Sequence, residues 1–205
     1  MPDTKENILT TALRLFSRDG YEAVSVSDIA AELGMTKGAL YRHYKSKRDI
    51  FDSIIERMYQ IDKKRSQKYS VPDDEYNSAP SAYESTTIES IKNFTKAQFA
   101  FWTADEFASA FRKMLALEQY RNPEIAALYN SCIVGGPVAY TEDIFREMIK
   151  NGVLRDTNAK LLAAEFYAPM YLFMSMYDTS DDKAALSQML DNHIELFFSS
   201  AKRND

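Results

Sequence analysis

The sequence predicts an all-α protein, and three observations carry that prediction. Apolar residues recur every three or four positions through most of the 205 residues, which is the spacing of helices that bury one face. Glycine and proline, which interrupt helices, number only six each. Residues that cap helices stand directly before several of the apolar stretches. A content of 45% hydrophobic and 27% charged residues is typical of a globular protein with a substantial core.

The first two helices are predicted from apolar stripes and turn residues. The first stripe ends at the turn signal Asp19-Gly20 and consists of Ile8, Leu9, Ala12, Leu15 and Phe16. Ser25 then begins a Ser-x-x-Asp pattern, which resembles a capping box and opens a short second helix. Gly34 is placed to end that helix, because glycine readily adopts the left-handed conformation found at helix C-termini.

Two more helices follow in the first 65 residues. Thr36 can cap a short third helix from Lys37 to about Tyr44. Ser46 repeats the Ser-x-x-Asp pattern and opens a longer fourth helix. The apolar stripe of this fourth helix consists of Ile50, Phe51, Ile54, Ile55 and Met58.

The remaining chain divides at a polar segment. Residues 66–83 are rich in Ser, Asp and Asn and contain two prolines, so a loop or linker is expected. Helical spacing resumes near residue 84, and further helices are expected at about 105–119, 123–150, 157–177 and 181–200. Gly135-Gly136-Pro137 should disturb the helix expected at 123–150. The predicted organisation is therefore an N-terminal domain at 1–47, a linking helix at 47–65, the 66–83 linker and a larger helical domain at 84–205.

Positive charge is concentrated near the third helix. Residues 1–65 hold 12 Lys/Arg and 10 Asp/Glu, a net charge of +2, whereas the other residues hold 13 and 20, a net charge of −7. Residues 36–48 contain five basic side chains and no acidic one. This asymmetry favours a polyanion as the partner of this part of the chain, although short basic runs are also common as solvated surface. Two of these basic residues, Lys45 and Arg48, can equally be ordinary solvated charges.

The second and third helices have the arrangement of a helix-turn-helix. Two short helices are joined by the tight turn Gly34-Met35-Thr36, with a longer helix on each side, and this geometry places the second short helix in the major groove of DNA. At 3.6 residues per turn, Leu40 and Tyr44 lie one above the other and should face the core. The outward side chains are then those of Lys37, Gly38, Tyr41 and Arg42, with His43 at the margin.

Residues 8–51 resemble the DNA-binding domain of the TetR family of regulators. The matching features are Phe16 and Gly20, the pattern Val26-x-x-Ile29-Ala30, and the run Gly34-Met35-Thr36-Lys37-Gly38-Ala39-Leu40-Tyr41-Arg42-His43-Tyr44-Lys45-Ser46-Lys47. Arg48 departs from the acidic or polar residue that is common there. The resemblance implies a homodimeric, all-helical repressor that binds a palindromic double-stranded DNA operator. It also implies that the C-terminal domain holds a dimer interface and a site for a small-molecule effector.

The chemistry of the outward residues, with this resemblance, predicts their roles. Lys37 can reach a phosphate or a guanine edge, and Tyr41 resembles the family tyrosine that binds a phosphate, a contact that His43 can also make. Arg42 is expected to read bases, because its guanidinium matches the edge of guanine. Lys47 stands near backbone amides that would form an anion site at the start of the fourth helix. The predicted DNA-binding residues are Ser27, Thr36, Lys37, Gly38, Tyr41, Arg42, His43 and Lys47.

The larger domain is dense in aromatic and Met side chains, which would suit a hydrophobic or aromatic ligand. Residues at this spacing can equally be plain core. The expected ligand-binding residues are Phe99, Trp102, Phe111, Met114, Tyr129, Phe166, Met170, Phe173 and Met174. Pro169, inside one of these helices, is expected to kink it.

The last two helices resemble the pair that forms a four-helix bundle across the dimer axis of TetR-family proteins, and a narrow apolar stripe is suited to packing against a second copy of the chain. The stripe consists of Leu186, Met189 or Leu190, His193 or Ile194, and Phe197. His193 lies on this stripe and is expected to be a buried histidine that a neighbour satisfies, with a pH sensor as the alternative.

Other function classes find little support in the sequence. Two histidines and one cysteine offer no metal-ligand spacing, no catalytic arrangement and no disulfide, and no glycine-rich phosphate loop is present. We therefore expect neither an enzyme nor a cofactor. No apolar segment is long enough to span a membrane, so a cytoplasmic protein is expected. The alternative function is a helical ligand-binding or protein-interaction module without an inducible DNA switch.

Overall fold

The computed structural model describes residues 4–69, 71–72 and 83–203. Apart from an isolated bridge between Leu154 and Lys202, regular structure in these ranges is helical. Ten α-helices and one π-helical turn lie wholly within the described residues. They are α1 (Thr4–Asp19), α2 (Val26–Glu32), α3 (Lys37–Leu40), α4 (Lys47–Tyr69), α5 (Ile88–Ala104), α6 (Glu106–Glu118), α7 (Pro123–Tyr129), the π-helical turn (Asn130–Val134), α8 (Gly135–Lys150), α9 (Ala159–Tyr177) and α10 (Lys183–Ala201). The all-α prediction is confirmed.

The chain divides into two compact units. The first unit contains the described residues of Met1–Asp62 together with Ala104–Tyr129. The second contains the described residues of Lys63–Thr103 and Asn130–Asp205. Residues 104–129, which the sequence pattern assigned to the larger domain, thus share a unit with the N-terminal helices. Most of the 66–83 linker lies outside the described residues, and the domain boundaries inferred from the sequence stay a prediction.

Local sequence signals explain where the helices of the first unit begin and end. The capping box of α2 is complete: Asp28 N–H donates to Ser25 Oγ at 3.2 Å, and Ser25 N–H donates to Asp28 Oδ2 at 2.7 Å. Side-chain caps also open α4 at Ser46 and α7 at Asn122. Each cap satisfies backbone N–H groups that the first turn of a helix leaves unpaired. The cap positions predicted from the sequence are therefore confirmed.

The core of the first unit is formed by the inward stripes of its helices. The stripe of α1 is buried as predicted, and α6 packs along α1. At the end of α6 lies Glu118, which is fully buried, and its two carboxylate oxygens have no hydrogen-bond partner among the described residues. A Cβ added to Gly20 would come within 2.5 Å of Glu118 Oε1. The carboxylate is thus pressed against the backbone of the turn that follows α1.

The second unit is built around contacts of α8, α9 and α10. Phe145, Phe166, Phe197 and Phe198 form an aromatic cluster, with ring centroids 4.8–6.1 Å apart. His193 is half-buried, and its Nε2 donates to the Phe166 carbonyl at 3.0 Å. A neighbour therefore satisfies this histidine, as expected. No helix within the described ranges is long and apolar enough to cross a membrane.

The predicted disturbance near Gly135-Gly136 is a π-helical turn. This wider turn precedes α8, and a Cβ on Gly136 would lie 1.8 Å from the Ser131 carbonyl oxygen. The Tyr167 hydroxyl donates to the Ile133 carbonyl at 2.6 Å, so α9 satisfies one backbone group of the turn. The α9 helix itself continues through Pro169.

Candidate nucleic-acid interface

The turn between α2 and α3 is fixed by backbone hydrogen bonds. Gly34 has a φ of +62°, a left-handed conformation that favours glycine. Its N–H donates to the Ala31 carbonyl at 3.0 Å, and the Met35 N–H donates to the Ala30 carbonyl at 2.9 Å. These two bonds form a Schellman motif, which ends α2. Thr36 then caps α3, because its Oγ1 accepts from the Ala39 N–H at 3.2 Å.

The α3 helix is shorter than the sequence pattern predicted. It ends at Leu40 instead of near Tyr44, and residues 41–43 form a hydrogen-bonded turn. Tyr44 is 2% exposed, and its hydroxyl donates to the Lys5 carbonyl at 3.2 Å. This contact with α1 is remote in sequence and holds the chain as it leaves α3. Helical periodicity alone could not reveal it.

The two faces of the α3 segment are as predicted. Leu40 and Tyr44 are buried, whereas all five residues assigned to the outer face are exposed. A Cβ on Gly38 would meet nothing within 4 Å, so the surface of α3 is open at this point. Tyr41 is 44% exposed, and the Lys37 ammonium lies 5.9 Å from the centroid of its ring. The exposed residues of the segment are Lys37, Gly38, Tyr41, Arg42 and His43.

The cations of this segment differ from other cations of the first unit. Lys37, Arg42 and Lys45 are exposed, and none of the three forms an ion pair with a residue that the structure describes. By contrast, four arginines elsewhere in the unit are paired with carboxylates: Arg14 with Glu32, Arg18 with Asp19, Arg48 with Asp52 and Glu124, and Arg57 with Glu6. The unpaired positive charges are available to an anionic partner.

Arg48 is held within the first unit. Its guanidinium donates to Asp52 Oδ1 at 2.7 Å, and it also donates to Glu124 Oε2 at 2.7 Å. The pKa of Arg48 is raised by hydrogen bonds to Glu124 and Asp52, and the pKa of Glu124 is lowered by the same guanidinium. The sequence left two alternatives open for Arg48, a solvated charge and a phosphate ligand. In the structure Arg48 is instead paired with Asp52 and Glu124.

The two remaining predicted contacts have different surroundings. Ser27 is exposed in the first turn of α2, two residues after the Ser25 cap. Lys47 is half-buried, and its ammonium donates to the Tyr21 carbonyl at 2.8 Å. The DNA-contact roles inferred from the sequence stay predictions for all eight residues.

The expected ligand-binding residues are all buried, but they do not lie in one unit. Phe99, Trp102, Phe166, Met170, Phe173 and Met174 belong to the second unit. Phe111, Met114 and Tyr129 belong to the first unit, where Phe111 and Met114 are fully buried. Aromatic and Met content could identify apolar interior, but it could not assign that interior to one of two cores.

The stripe predicted to face a second copy mostly lies inside the protomer. Leu186, Leu190, Ile194 and Phe197 are buried in the second unit. Among the alternatives in the pattern, only Met189 is exposed, at 47%. The large apolar side chains that α9 and α10 expose are Leu161, Tyr171, Leu172, Met176, Met189 and Leu196. A stripe at helical spacing shows that a face is covered, but it does not show which chain covers it.

A polar groove of about 530 Å³ lies beside α1 and α2 in the first unit. Its charged lining includes Arg18, Asp19, Asp28 and Glu32. These charges already have partners, since Arg18 pairs with Asp19, Glu32 pairs with Arg14, and Asp28 closes the α2 capping box. The hydrogen bond from Ser25 accordingly lowers the pKa of Asp28. Each of these four charged side chains is therefore already paired within the first unit.

The N-terminal helices match a family of known proteins. Residues 8–54 match the family model of bacterial regulatory proteins, tetR family. Over 54 residues the chain is 46% identical to the HTH-type transcriptional regulator AcrR of Shigella flexneri. This match covers 26% of the chain and spans about a quarter (25%) of that relative's length.

Solved structures resemble the chain over nearly its full length. The SmeT–triclosan complex covers 98% of this chain and 92% of its own, with a TM-score of 0.68 and 17% identity; SmeT is the repressor of a multidrug efflux pump in Stenotrophomonas maltophilia. The fatty acid degradation regulator FadR of Bacillus halodurans covers 100% of both chains, with a TM-score of 0.62 and 16% identity. At these identities the likeness shows a shared fold.

Proposed function

We propose that this chain is a sequence-specific DNA-binding repressor of the tetR family of bacterial regulatory proteins, whose family model matches residues 8–54. The α3 segment binds in the major groove of an operator. A hydrophobic or aromatic small molecule, bound in the second unit, releases the protein from that operator. The protein acts as a regulator and not as an enzyme, in keeping with the relatives that are named transcriptional regulators.

One observation carries the DNA-binding proposal: Lys37, Arg42 and Lys45 are exposed and have no ion pair among the described residues, although nearby arginines are paired. These three cations lie within nine residues, on or directly after α3. A duplex offers closely spaced phosphates, and each lysine or arginine that neutralises a phosphate releases condensed counterions. The release of these counterions therefore favours binding of a duplex to this surface.

The outer residues divide into positioning and reading roles. Tyr41, His43, Thr36 and Ser27 carry hydroxyl or imidazole groups suited to phosphate oxygens, which orient a protein on a duplex. Arg42 reads a guanine edge in the major groove, where its two-pronged guanidinium can bond O6 and N7. Gly38 adds no side chain to the open surface of α3, so the backbone can approach the DNA closely.

The protein binds its operator as a homodimer, and the exposed apolar side chains of α9 and α10 support this proposal. Leu161, Leu172 and Leu196 are 54–71% exposed, and they lie on two helices that contact each other. Burial of these side chains against a second copy would remove them from water. Two recognition segments would then reach successive major grooves of a palindromic operator.

The effector site lies among the six expected ligand-binding residues of the second unit. Their aromatic and thioether side chains favour an apolar molecule, and two neighbours in fold are described with such chemistry, triclosan for SmeT and fatty acid degradation for FadR. We propose Phe99, Trp102, Phe166, Met170, Phe173 and Met174 as candidates for its lining. Phe111, Met114 and Tyr129 are then core residues of the first unit.

The DNA-binding proposal is tested with a duplex that the wild-type protein selects from a randomised pool. Fluorescence anisotropy should give an affinity that falls steeply with salt, with a log–log slope of about −0.9 for each phosphate neutralised. A triple variant, Lys37→Met, Arg42→Met and Lys45→Met, should lose both the selected affinity and most of the slope. Failure of the wild-type protein to enrich any duplex would refute the proposal.

The effector proposal is tested through Trp102, the only tryptophan of the chain. It is 7% exposed and stands in the proposed lining, so a ligand there should change its fluorescence. Triclosan and a long-chain fatty acid are suitable probes. A bound probe should weaken duplex binding by about 5- to 150-fold, and the duplex should weaken probe binding by the same factor. Probe binding that leaves duplex affinity unchanged would indicate a ligand-binding module without a switch.

A further inference from the structure

The Lys47 ammonium is already engaged by the turn between α1 and α2. It lies 2.8 Å from the Tyr21 carbonyl oxygen, 3.4 Å from the Glu22 carbonyl oxygen and 4.3 Å from the centroid of the Tyr21 ring. A lysine ammonium has three donors and no acceptor. Two of its N–H groups therefore bond successive carbonyls, and its charge also faces an aromatic ring, which favours a cation.

The turn that receives Lys47 is itself held in place. The Tyr21 ring packs on Phe16 of α1 at 5.1 Å and on Phe51 of α4 at 4.9 Å between centroids. Burial raises the pKa of the Tyr21 hydroxyl. Gly20, directly before Tyr21, lies against the buried Glu118 carboxylate. The two carbonyls therefore form a preorganised acceptor site for one cation, between α1 and the first turn of α4.

Lys45, two residues earlier, has the opposite surroundings. It is exposed, and its side chain forms no hydrogen bond or ion pair with any residue that the structure describes. For Lys47 to bind a phosphate, it would have to leave two carbonyls and a ring that would then be without their partner. Lys45 can bind a phosphate without breaking any interaction within the protomer.

We propose that Lys47 is a positioning residue that joins the α1–α2 turn to α4, and that Lys45 supplies the phosphate contact at this end of the recognition segment. This inference rests on the proposed DNA-binding function. It replaces the phosphate role that the sequence predicted for Lys47. In this arrangement Lys47 acts on DNA affinity indirectly, because the helices on either side of α3 keep their spacing only while its hydrogen bonds are intact.

A matched pair of variants, Lys47→Met and Lys45→Met, tests the assignment, since each removes one charge and keeps the aliphatic stem. Lys47→Met should lower the Tm by roughly 3–6 °C and weaken binding of the selected duplex without changing the salt slope. Lys45→Met should leave the Tm unchanged and flatten the slope by about 0.9, the value for one phosphate that is no longer neutralised. An unchanged Tm with a flattened slope for Lys47→Met would overturn the proposal.

Wild-type protein provides a second measurement that does not depend on how the variants fold. Brief acetylation followed by mass spectrometry should modify Lys45 rapidly and Lys47 slowly, and the duplex should protect Lys45 alone. Rapid acetylation of Lys47, with protection by the duplex, would refute its assignment as a positioning residue. The Tm and the acetylation of the free protein test Lys47 even if no duplex binds, so failure of the proposed function is distinguishable from failure of this inference.

Discussion

The α3 segment and the α9–α10 pair both expose side chains to solvent, but these side chains are of opposite kinds. The first presents unpaired cations, Lys37, Arg42 and Lys45, on a short capped turn. The second presents apolar side chains, including Leu172 and Leu196, on two long helices. The first surface fits a polyanion and the second fits an apolar partner. A side chain left unsatisfied by its own protomer thus indicates the chemistry of what it meets.

The largest expected effect comes from charging the apolar surface. The double variant Leu172→Glu and Leu196→Glu should give a monomer of 23.5 kDa by light scattering, because two buried carboxylates at an interface are strongly unfavourable. Duplex affinity should fall by about 10²- to 10⁴-fold as binding at the second half-site becomes bimolecular. Leu117→Glu, at a leucine that is 46% exposed on α6, is the control and should remain dimeric. A dimer with full affinity in the double variant would place the interface elsewhere.

The next effect sharpens the division within the cationic surface. Arg42→Ala should reduce discrimination at particular base pairs by about 5- to 150-fold, since a bidentate contact with guanine contributes about 1–3 kcal/mol. Lys37→Ala should weaken the selected and unselected duplexes by similar factors, because a phosphate contact carries no base information. The measurement is competition between the selected duplex and its single-base variants. Equal loss of discrimination in both variants would contradict separate reading and positioning roles.

Glu118 extends the comparison to the interior of the first unit, where a buried side chain cannot meet a second molecule. Glu118→Gln should raise the free energy of unfolding by about 1–2 kcal/mol, because a buried amide is less costly than a buried carboxyl group whose two oxygens have no hydrogen-bond partner among the described residues. Glu147→Gln is a matched control at a glutamate that is 2% exposed and paired with Lys150 at 3.0 Å. That change should lower stability. Denaturant unfolding should therefore give changes of opposite sign in the free energy of unfolding of the two variants. A destabilised Glu118→Gln would mean that the carboxyl group stabilises the fold.

The smallest effect separates two serines at the start of α2. Ser25→Ala should lower the free energy of unfolding by about 1 kcal/mol, because it removes one half of the capping box. Ser27→Ala should leave stability unchanged and weaken duplex binding slightly, since Ser27 is exposed and is proposed to contact the DNA backbone. Thermal unfolding and anisotropy on both proteins check the pair. A loss of stability in Ser27→Ala alone would reverse the assignment.

The sequence could predict features whose causes are local. Caps at Ser25 and Thr36, the end of α2 at Gly34 and the inward pair Leu40 and Tyr44 follow from neighbouring residues and helical spacing, and the structure confirms each of them. The outward position of the predicted α3 contacts follows from the same spacing. Fold class and the exposed part of the candidate interface could therefore be predicted from the sequence.

Features that depend on distant residues were not accessible in this way. The end of α3 at Leu40 accompanies the contact of Tyr44 with Lys5, and the engagement of Lys47 requires the Tyr21 carbonyl, 26 positions away in sequence. Whether the α10 stripe faces its own core or a second copy is likewise decided by packing. A glutamate, Glu118, four residues after Met114 in an apolar stripe was a signal in the sequence that could have drawn attention to the buried carboxylate.

Two glycines described above differ in how much evolutionary freedom they have. At Gly136 a single added carbon would collide with the Ser131 carbonyl, so every other residue is excluded for lack of space. At Gly34 the space is open and only the left-handed backbone is demanding, which asparagine tolerates better than most residues. A library randomised at both codons and selected for folded protein should therefore return glycine alone at 136, but glycine with a minority of asparagine at 34. The π-helical turn before α8 thus tolerates no substitution at position 136, whereas the turn between α2 and α3 tolerates asparagine at position 34.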